Sequence, residues 1–210
     1  MELKMAEWKI GETKELLKTF IWTVMETVKT NPAGKQGKFV SLKCPDWCSA
    51  LIYNKDTKKF IMVKEFRHGV NKEVYEFPSG TVEEGETPAE ACVREVKEET
   101  GYKDVKIITQ LYRKCPNPAF MNNHMNGFLV EVSGERDKQH LDENEFINVV
   151  EVDNPNDYLG SDDDSVMGAF LWQSYEQLTA LKEQIKIADY YSKAKKAAFA
   201  KAKFEAKYKK

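Results

Sequence analysis

Three glutamates, Glu95, Glu98 and Glu99, stand three and four residues apart near the end of a stretch that reads as a short helix. At that spacing their side chains share one face, where like charges repel. They also crowd the last turn, where the helix dipole disfavours anions. Each effect is worth only about 0.2–1 kcal/mol, but all act in the same direction. A divalent cation would reverse the sign of every one. The chemistry this set suits is therefore cation binding through hard carboxylate oxygens.

The helix that must hold these acids has a clear start and stop. Thr87 and Glu90 form a capping box, Pro88 takes the first helical position, and Gly101 stands where a left-handed C-terminal cap is needed. Ala89, Cys92, Val93 and Val96 recur at i, i+3, i+4 and i+7, a stripe predicted to face the core. Upstream, Ser79-Gly80 opens a loop rich in Glu83, Glu84 and Glu86. The short strand Val74 to Phe77 is stopped by Pro78. Before it, Phe60 to Arg67 reads as a strand with Ile61, Val63, Glu65 and Arg67 on one face. An apolar face that ends in Glu65 and Arg67 describes a strand leaving the core for a polar cleft. Cys48 to Tyr53, Val105 to Tyr112, Phe128 to Val132 and Phe146 to Val152 supply further strands. Two loops between them carry chemistry-bearing residues: Cys115 to His124, with Pro118, and the acidic Asp142-Glu143-Asn144-Glu145.

The ends of the chain differ from this middle. Trp8 to Ile10 reads as a short strand, Phe20 to Val28 as a longer one, and Phe39 to Leu42 as its return after a turn at 31–37. Such a hairpin has too little core to stand alone. A final helix is expected near Ser165, after the acidic run Asp162 to Asp164, with Met167, Phe170, Leu171, Ser174, Leu178, Leu181 and Ile185 as its stripe. Residues 186–210 are rich in Ala and Lys, with nine lysines against Asp189 and Glu205. That division gives three parts: 1–45, a β-rich extension expected to dimerise; 46–185, the main domain; and 186–210, a helical tail.

With 41% hydrophobic residues the chain can build a core, and 31% charged residues keep it soluble. The net charge of −2 hides a tail near +7 and a remainder near −9. Nucleic acid is thus disfavoured as a partner of the main body. No apolar run reaches a membrane span and the first residues lack an apolar signal region, so a cytoplasmic location is expected. Cys44, Cys48, Cys92 and Cys115 fit no zinc spacing. Cys44 and Cys48 would lie about 13 Å apart on a strand, too far to bridge, so reduced thiols are expected. His124 and His140 are single loop histidines with no assigned chemistry.

The stretch from Gly80 to Tyr102 resembles the Nudix box: G, five residues, E, seven residues, then R-E-U-x-E-E-x-G-U, with U a bulky aliphatic residue. Here these are Gly80, Glu86, Arg94, Glu95, Val96, Glu98, Glu99, Gly101 and Tyr102, with Tyr102 replacing the last aliphatic residue. So many fixed positions at fixed spacing make the match far more specific than a short glycine motif. Glu65-Phe-Arg67 followed by Glu76-Phe-Pro-Ser-Gly80 is similar to the lead-in of the ADP-ribose pyrophosphatase subgroup. Pro118, sixteen residues past the box, and the Asp142 to Glu145 loop are further marks of that group.

The resemblance implies a mixed α/β (α+β) domain, the Nudix fold, with a mixed β-sheet sandwiched between helices and an N-terminal β-hairpin extension. It implies Mg²⁺-dependent hydrolysis (Mn²⁺ being the other candidate ion) of a nucleoside diphosphate linked to another moiety, with ADP-ribose giving AMP and ribose 5-phosphate as the leading reaction. Another sugar nucleotide or dinucleotide, or nucleotide sensing without turnover, are the alternatives. The implied metal ligands are Glu95, Glu98, Glu99, the Ser79 carbonyl and Glu145. Glu143 is the implied base and Glu98 a further catalytic residue, although Glu143 and Glu145 can exchange roles. Arg67, Glu76, Pro118 and Trp22 would contact substrate, with Trp22 or Phe20 stacking on the base. Gly80, Glu86, Arg94 and Gly101 would be structural. Exchange of the N-terminal hairpin between two subunits implies a homodimer.

Overall fold

The computed structural model describes residues 7–160 and 166–208. Ten strands and two long helices follow in order: β1 (Lys9–Lys18), β2 (Thr23–Thr30), β3 (Gln36–Lys43), β4 (Trp47–Asn54), β5 (Phe60–Arg67), β6 (Lys72–Glu76), β7 (Ser79–Thr81), α1 (Pro88–Thr100), β8 (Tyr102–Lys114), β9 (Met125–Arg136), β10 (Ile147–Val152) and α2 (Val166–Tyr208). Strands β4 to β10 form one mixed sheet in the order β10-β5-β4-β9-β8, with β6 paired to β5 and β7 to β4. Only the β4–β9 pairing in this sheet is parallel. The crossover that parallel pairing demands carries α1.

Alternation along β9 places α1 on one face of the sheet and the first residues of α2, up to Leu171, on the other. Phe128, Val130 and Val132 join Cys48, Ala50, Ile52 and Ile61 under Ala91, Cys92 and Val96 of α1. Gly127 faces the other way and lies against Leu171 at the start of α2, where any Cβ would collide with that leucine and with Tyr112. Tyr112 packs edge-on against Phe170, and its hydroxyl donates to the Met167 carbonyl at 3.4 Å. The mixed sheet between helices is thus the expected one.

The remaining expectations need correction in two places. The N-terminal extension holds the expected hairpin as β2-β3 and adds β1 as a third antiparallel strand. Residues 9–18 form its long first strand, and Phe20 to Trp22 sit in the β1–β2 turn instead of in a strand, with Phe20 97% exposed. On α1 the buried face is Ala91, Cys92, Val96, Glu99 and Thr100, whereas Ala89 and Val93 are only half-buried. The burial arc is rotated because the helix packs over β4 and β9, and this rotation takes Glu99 inside. Helix α2 runs unbroken for 43 residues. The chain forms two compact units, one up to Leu171 and one from Trp172 onward. The acidic run Asp162 to Asp164 and Ser165 lie outside the described residues. Among the described residues no helix is long and apolar enough to cross a membrane.

Candidate active site

The helix that carries the acids is capped as its sequence requires. The Thr87 hydroxyl accepts from Glu90 N while the Glu90 carboxylate accepts from Thr87 N, and Gly101 closes the helix at φ 78°. Gly101 has a second constraint, since a Cβ there would strike the Asp137 carbonyl. With both ends fixed, the rotation of α1 is set, and with it the direction of each glutamate.

Glu99 is 3% exposed. Its Oε1 accepts from Ser79 N at 3.2 Å, and its Oε2 makes no hydrogen bond among the described residues. Burial, reinforced by the Glu95 charge, pushes its carboxyl well above the usual carboxylate range. Glu95 is held against β7: a Cβ on Gly80 would overlap its carboxylate, so this glycine makes room for the acid. Burial raises the Glu95 pKa too, against the opposing pull of Arg94.

Arg94 ties the box together. Its Nε and Nη2 grip Glu86 at 2.9 and 3.1 Å, its Nη1 bridges Glu95 (2.8 Å) and Glu98 (3.0 Å), and Nη2 also reaches the Thr81 carbonyl at 3.0 Å. One guanidinium thus fixes the loop, β7 and two acids of the cluster. Glu86 accepts from Glu83 N as well, which makes it a loop anchor.

A second arginine faces the same region from β5. Arg67 donates twice to Glu76 (2.5 and 3.0 Å) and once to Glu65 (3.0 Å). Burial works against its charge, and the Glu76 carboxylate more than restores it. Glu65 is itself pushed upward by burial, and the charges of Glu76 and Glu145 add to this. The Glu145 charge also reaches Glu95 and Glu99. This loop acid, half-buried and with its carboxylate accepting from Asp142 N, therefore lies near enough for its charge to act on the cluster, while Glu143 is exposed. A cleft of about 380 Å³ opens here, lined by Trp47, Arg67, Glu76, Ser79, Gly80, Thr81 and Met167. A larger groove, about 570 Å³, runs along α1 by Ala89, Glu90, Val93, Arg94, Lys97, Glu98 and Ile107. The smaller cleft is the one that presents Arg67 together with the Ser79-Gly80 segment against which Glu99 and Glu95 lie, and so suits a charged substrate.

The structure brings Glu95, Glu98, Glu99, Ser79, Gly80, Glu86, Arg94, Arg67, Glu76 and Glu145 together. Pro118 is exposed on its loop, and Trp22 is 41% exposed on the β1–β2 turn, neither of them lining the cleft. Trp47 and Thr81 are the cleft residues that sequence reasoning did not single out, and Met167 entered it only as part of a helix stripe. Trp47 and Met167 gave no signal distinct from core residues.

A NUDIX domain family model matches residues 46–193. The chain belongs to the Nudix family. An ADP-ribose pyrophosphatase of Bacillus subtilis (strain 168) is 38% identical over 122 residues, covering 58% of this chain and 65% of that protein. A methanol dehydrogenase activator of Bacillus methanolicus is 29% identical over the same length, again covering 65% of the relative. An ADP-sugar pyrophosphatase of Mus musculus is 32% identical over 141 residues, 64% of this chain and 61% of the relative. This Nudix chain therefore spans less than two thirds of the length of these relatives. In fold it is similar to a solved ADP compounds hydrolase, with a TM-score of 0.69 and 19% identity over 87% of this chain and 98% of the other.

Nudix hydrolases in general need a divalent metal ion. The donor set fits one. Glu95 and Glu99 offer two carboxylates one helical turn apart, and the free Glu99 Oε2 is a buried acceptor with no proton donor of its own. Among the described residues no three acidic, histidine or cysteine side chains already converge on one point. Glu98 and Glu145 flank the pair and would complete the set.

Proposed function

We propose that this Nudix chain hydrolyses a nucleoside diphosphate linked to a second moiety, with ADP-ribose plus water giving AMP and ribose 5-phosphate. The observation that carries this reading is the buried, unpartnered Glu99 carboxylate beside Glu95, at the edge of a cleft whose other side presents Arg67. A carboxylate without a donor at that depth either takes up a proton or is satisfied by a cation, and the neighbouring Glu95 makes this pair suited to the cation. The relatives described as ADP-ribose and ADP-sugar pyrophosphatases support the substrate class. A metal ion, Mg²⁺ or else Mn²⁺, would be held by Glu95 and Glu99 with Glu98, Glu145 and the Ser79 carbonyl at its margin. When bound it supplies charge neutralisation for the diphosphate and a polarised water.

The chain's own residues do the rest. Arg67, fixed by Glu76 and Glu65, presents its guanidinium to a phosphate or to the distal ribose. Glu76 is the lock on Arg67. The base that takes the proton from attacking water is a glutamate of the 142–145 loop, and the charge of Glu145 on the cluster favours it over Glu143. Arg94 holds Glu95 and Glu98 in place and touches no substrate. The N-terminal sheet, with Trp8, Ile10, Leu17, Phe20 and Val40 exposed, would pair two copies into a homodimer. A cytoplasmic location suits the reduced cysteines.

Incubation with Mg²⁺ and a panel of nucleoside diphosphate derivatives, with products identified by mass, tests the proposal. AMP and ribose 5-phosphate are expected from ADP-ribose. Preference for another sugar nucleotide or a dinucleotide keeps the reaction class and changes the substrate. Binding without turnover of any member would instead identify a sensor. Light scattering tests the dimer, which a monomeric mass would refute.

A further inference from the structure

The segment that follows β9 is laid across the end of the helix that carries the acids. A helix leaves its last carbonyls without partners of its own. At the end of α1 the five carbonyls from Lys97 to Gly101 all find donors, four of them from residues 136–140. Gly101 N serves Lys97 O at 2.9 Å. His140 N donates to Glu98 O (2.9 Å), the Gln139 side chain to Glu99 O, Arg136 Nε to Thr100 O (2.8 Å) and Asp137 N to Gly101 O (2.8 Å).

Within this cap one side chain has a second partner. Gln139 Nε2 also donates to Ile147 O at 3.1 Å. Both partners are carbonyl oxygens, which only accept, so the amide must turn its NH₂ towards them, and its two hydrogens suffice for the two bonds. Ile147 opens β10, the edge strand of the sheet, and is buried opposite Glu65 of β5. Gln139 therefore closes the base of the loop 140–146. It joins the residue just past that loop to the backbone of Glu99, whose carboxylate is the buried acid of the cleft. The tip of the loop is shaped by itself. Glu145 N donates to Asp142 O at 3.0 Å, and the Glu145 carboxylate accepts from Asp142 N at 3.3 Å. Among the described residues no hydrogen bond from 141–146 leaves this turn. A turn closed on itself moves as a unit, so its position is set at its base.

We propose that Gln139 is a positioning residue. It braces the loop bearing Glu143 and Glu145 against the helix bearing Glu95 and Glu99, and so fixes where the loop acid stands relative to the cluster. Gln139 acts through that acid and touches no substrate. The proposal rests on the hydrolase reading for the work the loop acid does.

Gln139→Met keeps the length of the side chain and removes both donors, and Gln139→Ala is the second variant. Hydrogen exchange read by mass, in chelator and without substrate, should show peptides across 138–146 exchanging at least about fivefold faster than in the wild type, with β4 and residues 88–95 within about twofold. Kinetics in Mg²⁺, on the diphosphate of the panel that the wild type turns over fastest, should show kcat lower by about 10–100-fold and KM within about threefold, since a misplacement of about 1 Å is enough for such a loss. In Glu145→Gln the same substitution should lower kcat by less than about threefold further, because the acid it positions is already gone. A merely structural role gives another pattern, in which the two losses multiply or KM rises with kcat kept. Either of these, unchanged loop exchange, a variant with wild-type kcat, or failure of both variants to fold in melting curves would overturn the proposal. If one variant fails to fold, the other carries the comparison. A wild type that turns over no member of the panel removes the hydrolase reading and this one together. An active wild type with any of the contrary results removes this one alone.

Discussion

Replacing Glu99 by glutamine should stabilise the metal-free protein while removing its response to metal. Glu99 is 3% exposed, one of its oxygens accepts a single backbone N–H, and the other has no partner among the described residues. An unsatisfied buried acceptor costs about 1–3 kcal/mol, and more when it is charged. Glutamine retains the oxygen that accepts from Ser79 and replaces the orphan by an NH₂ that can donate to the Glu95 carboxylate. In chelator at neutral pH the variant should therefore be more stable by about 1–3 kcal/mol, a rise in Tm of roughly 2–10 °C for a chain of this size. The pH dependence follows from the raised pKa. Between the unfolded value, about 4.3, and the higher folded value, the native state holds the extra proton. The wild type thus loses stability as pH rises through the folded pKa, and the difference between the two proteins should vanish below about pH 4. Adding Mg²⁺ at about 100 times its Kd should return about 2.7 kcal/mol to the wild type and little to the variant. Thermal melts in chelator and in Mg²⁺, across pH, read all of this. A variant less stable than wild type in chelator at neutral pH would refute the claim that Glu99 is an uncompensated buried acid.

Other substitutions probe the geometry around it. Gly80→Ala should displace the Glu95 carboxylate and lower turnover by at least about a hundredfold with a Tm change of only a few degrees, because the clash is with a movable side chain. Arg94→Lys should cost about 1–3 kcal/mol in a urea titration, since a lysine cannot span Glu86, Glu95, Glu98 and the Thr81 carbonyl together. Glu145→Gln should lower kcat by about 10²–10⁴-fold and Glu143→Gln by less than about threefold, compared side by side at saturating substrate.

What could be read from the sequence depended on how local the determinant was. The α1 caps at Thr87, Glu90 and Gly101 act within a few residues, and all three appear as expected. The strands β4, β5 and β9 announce themselves by buried runs such as Leu51-Ile52 and Ile61-Met62-Val63. Strand β1 gave no such pattern because every one of its ten residues is exposed, which leaves no alternation to find. The three residues of β7 are too few to show a period, and their pairing with Trp47, Cys48 and Ser49 is a tertiary fact. The same holds within the site. Spacing put Glu95, Glu98 and Glu99 on one helix, but only packing decided that Glu99 is buried and that Glu98 lies in the grip of Arg94. Glu143 and Glu145 are indistinguishable by type, and only the course of the loop turns Glu145 towards the cluster. Trp47 falls just before the expected strand Cys48 to Tyr53, and nothing local to the sequence marks it as a cleft residue.

The central claim is that Glu95 and Glu99 hold a cation for diphosphate hydrolysis. The most direct measurement is product mass analysis of ADP-ribose incubated with wild type and with Glu99→Gln, each in Mg²⁺ and in chelator. The account predicts AMP and ribose 5-phosphate from the wild type in Mg²⁺ alone, and at least a hundredfold less from the variant. Equal turnover by the variant, or wild-type turnover undiminished by chelator, would contradict it.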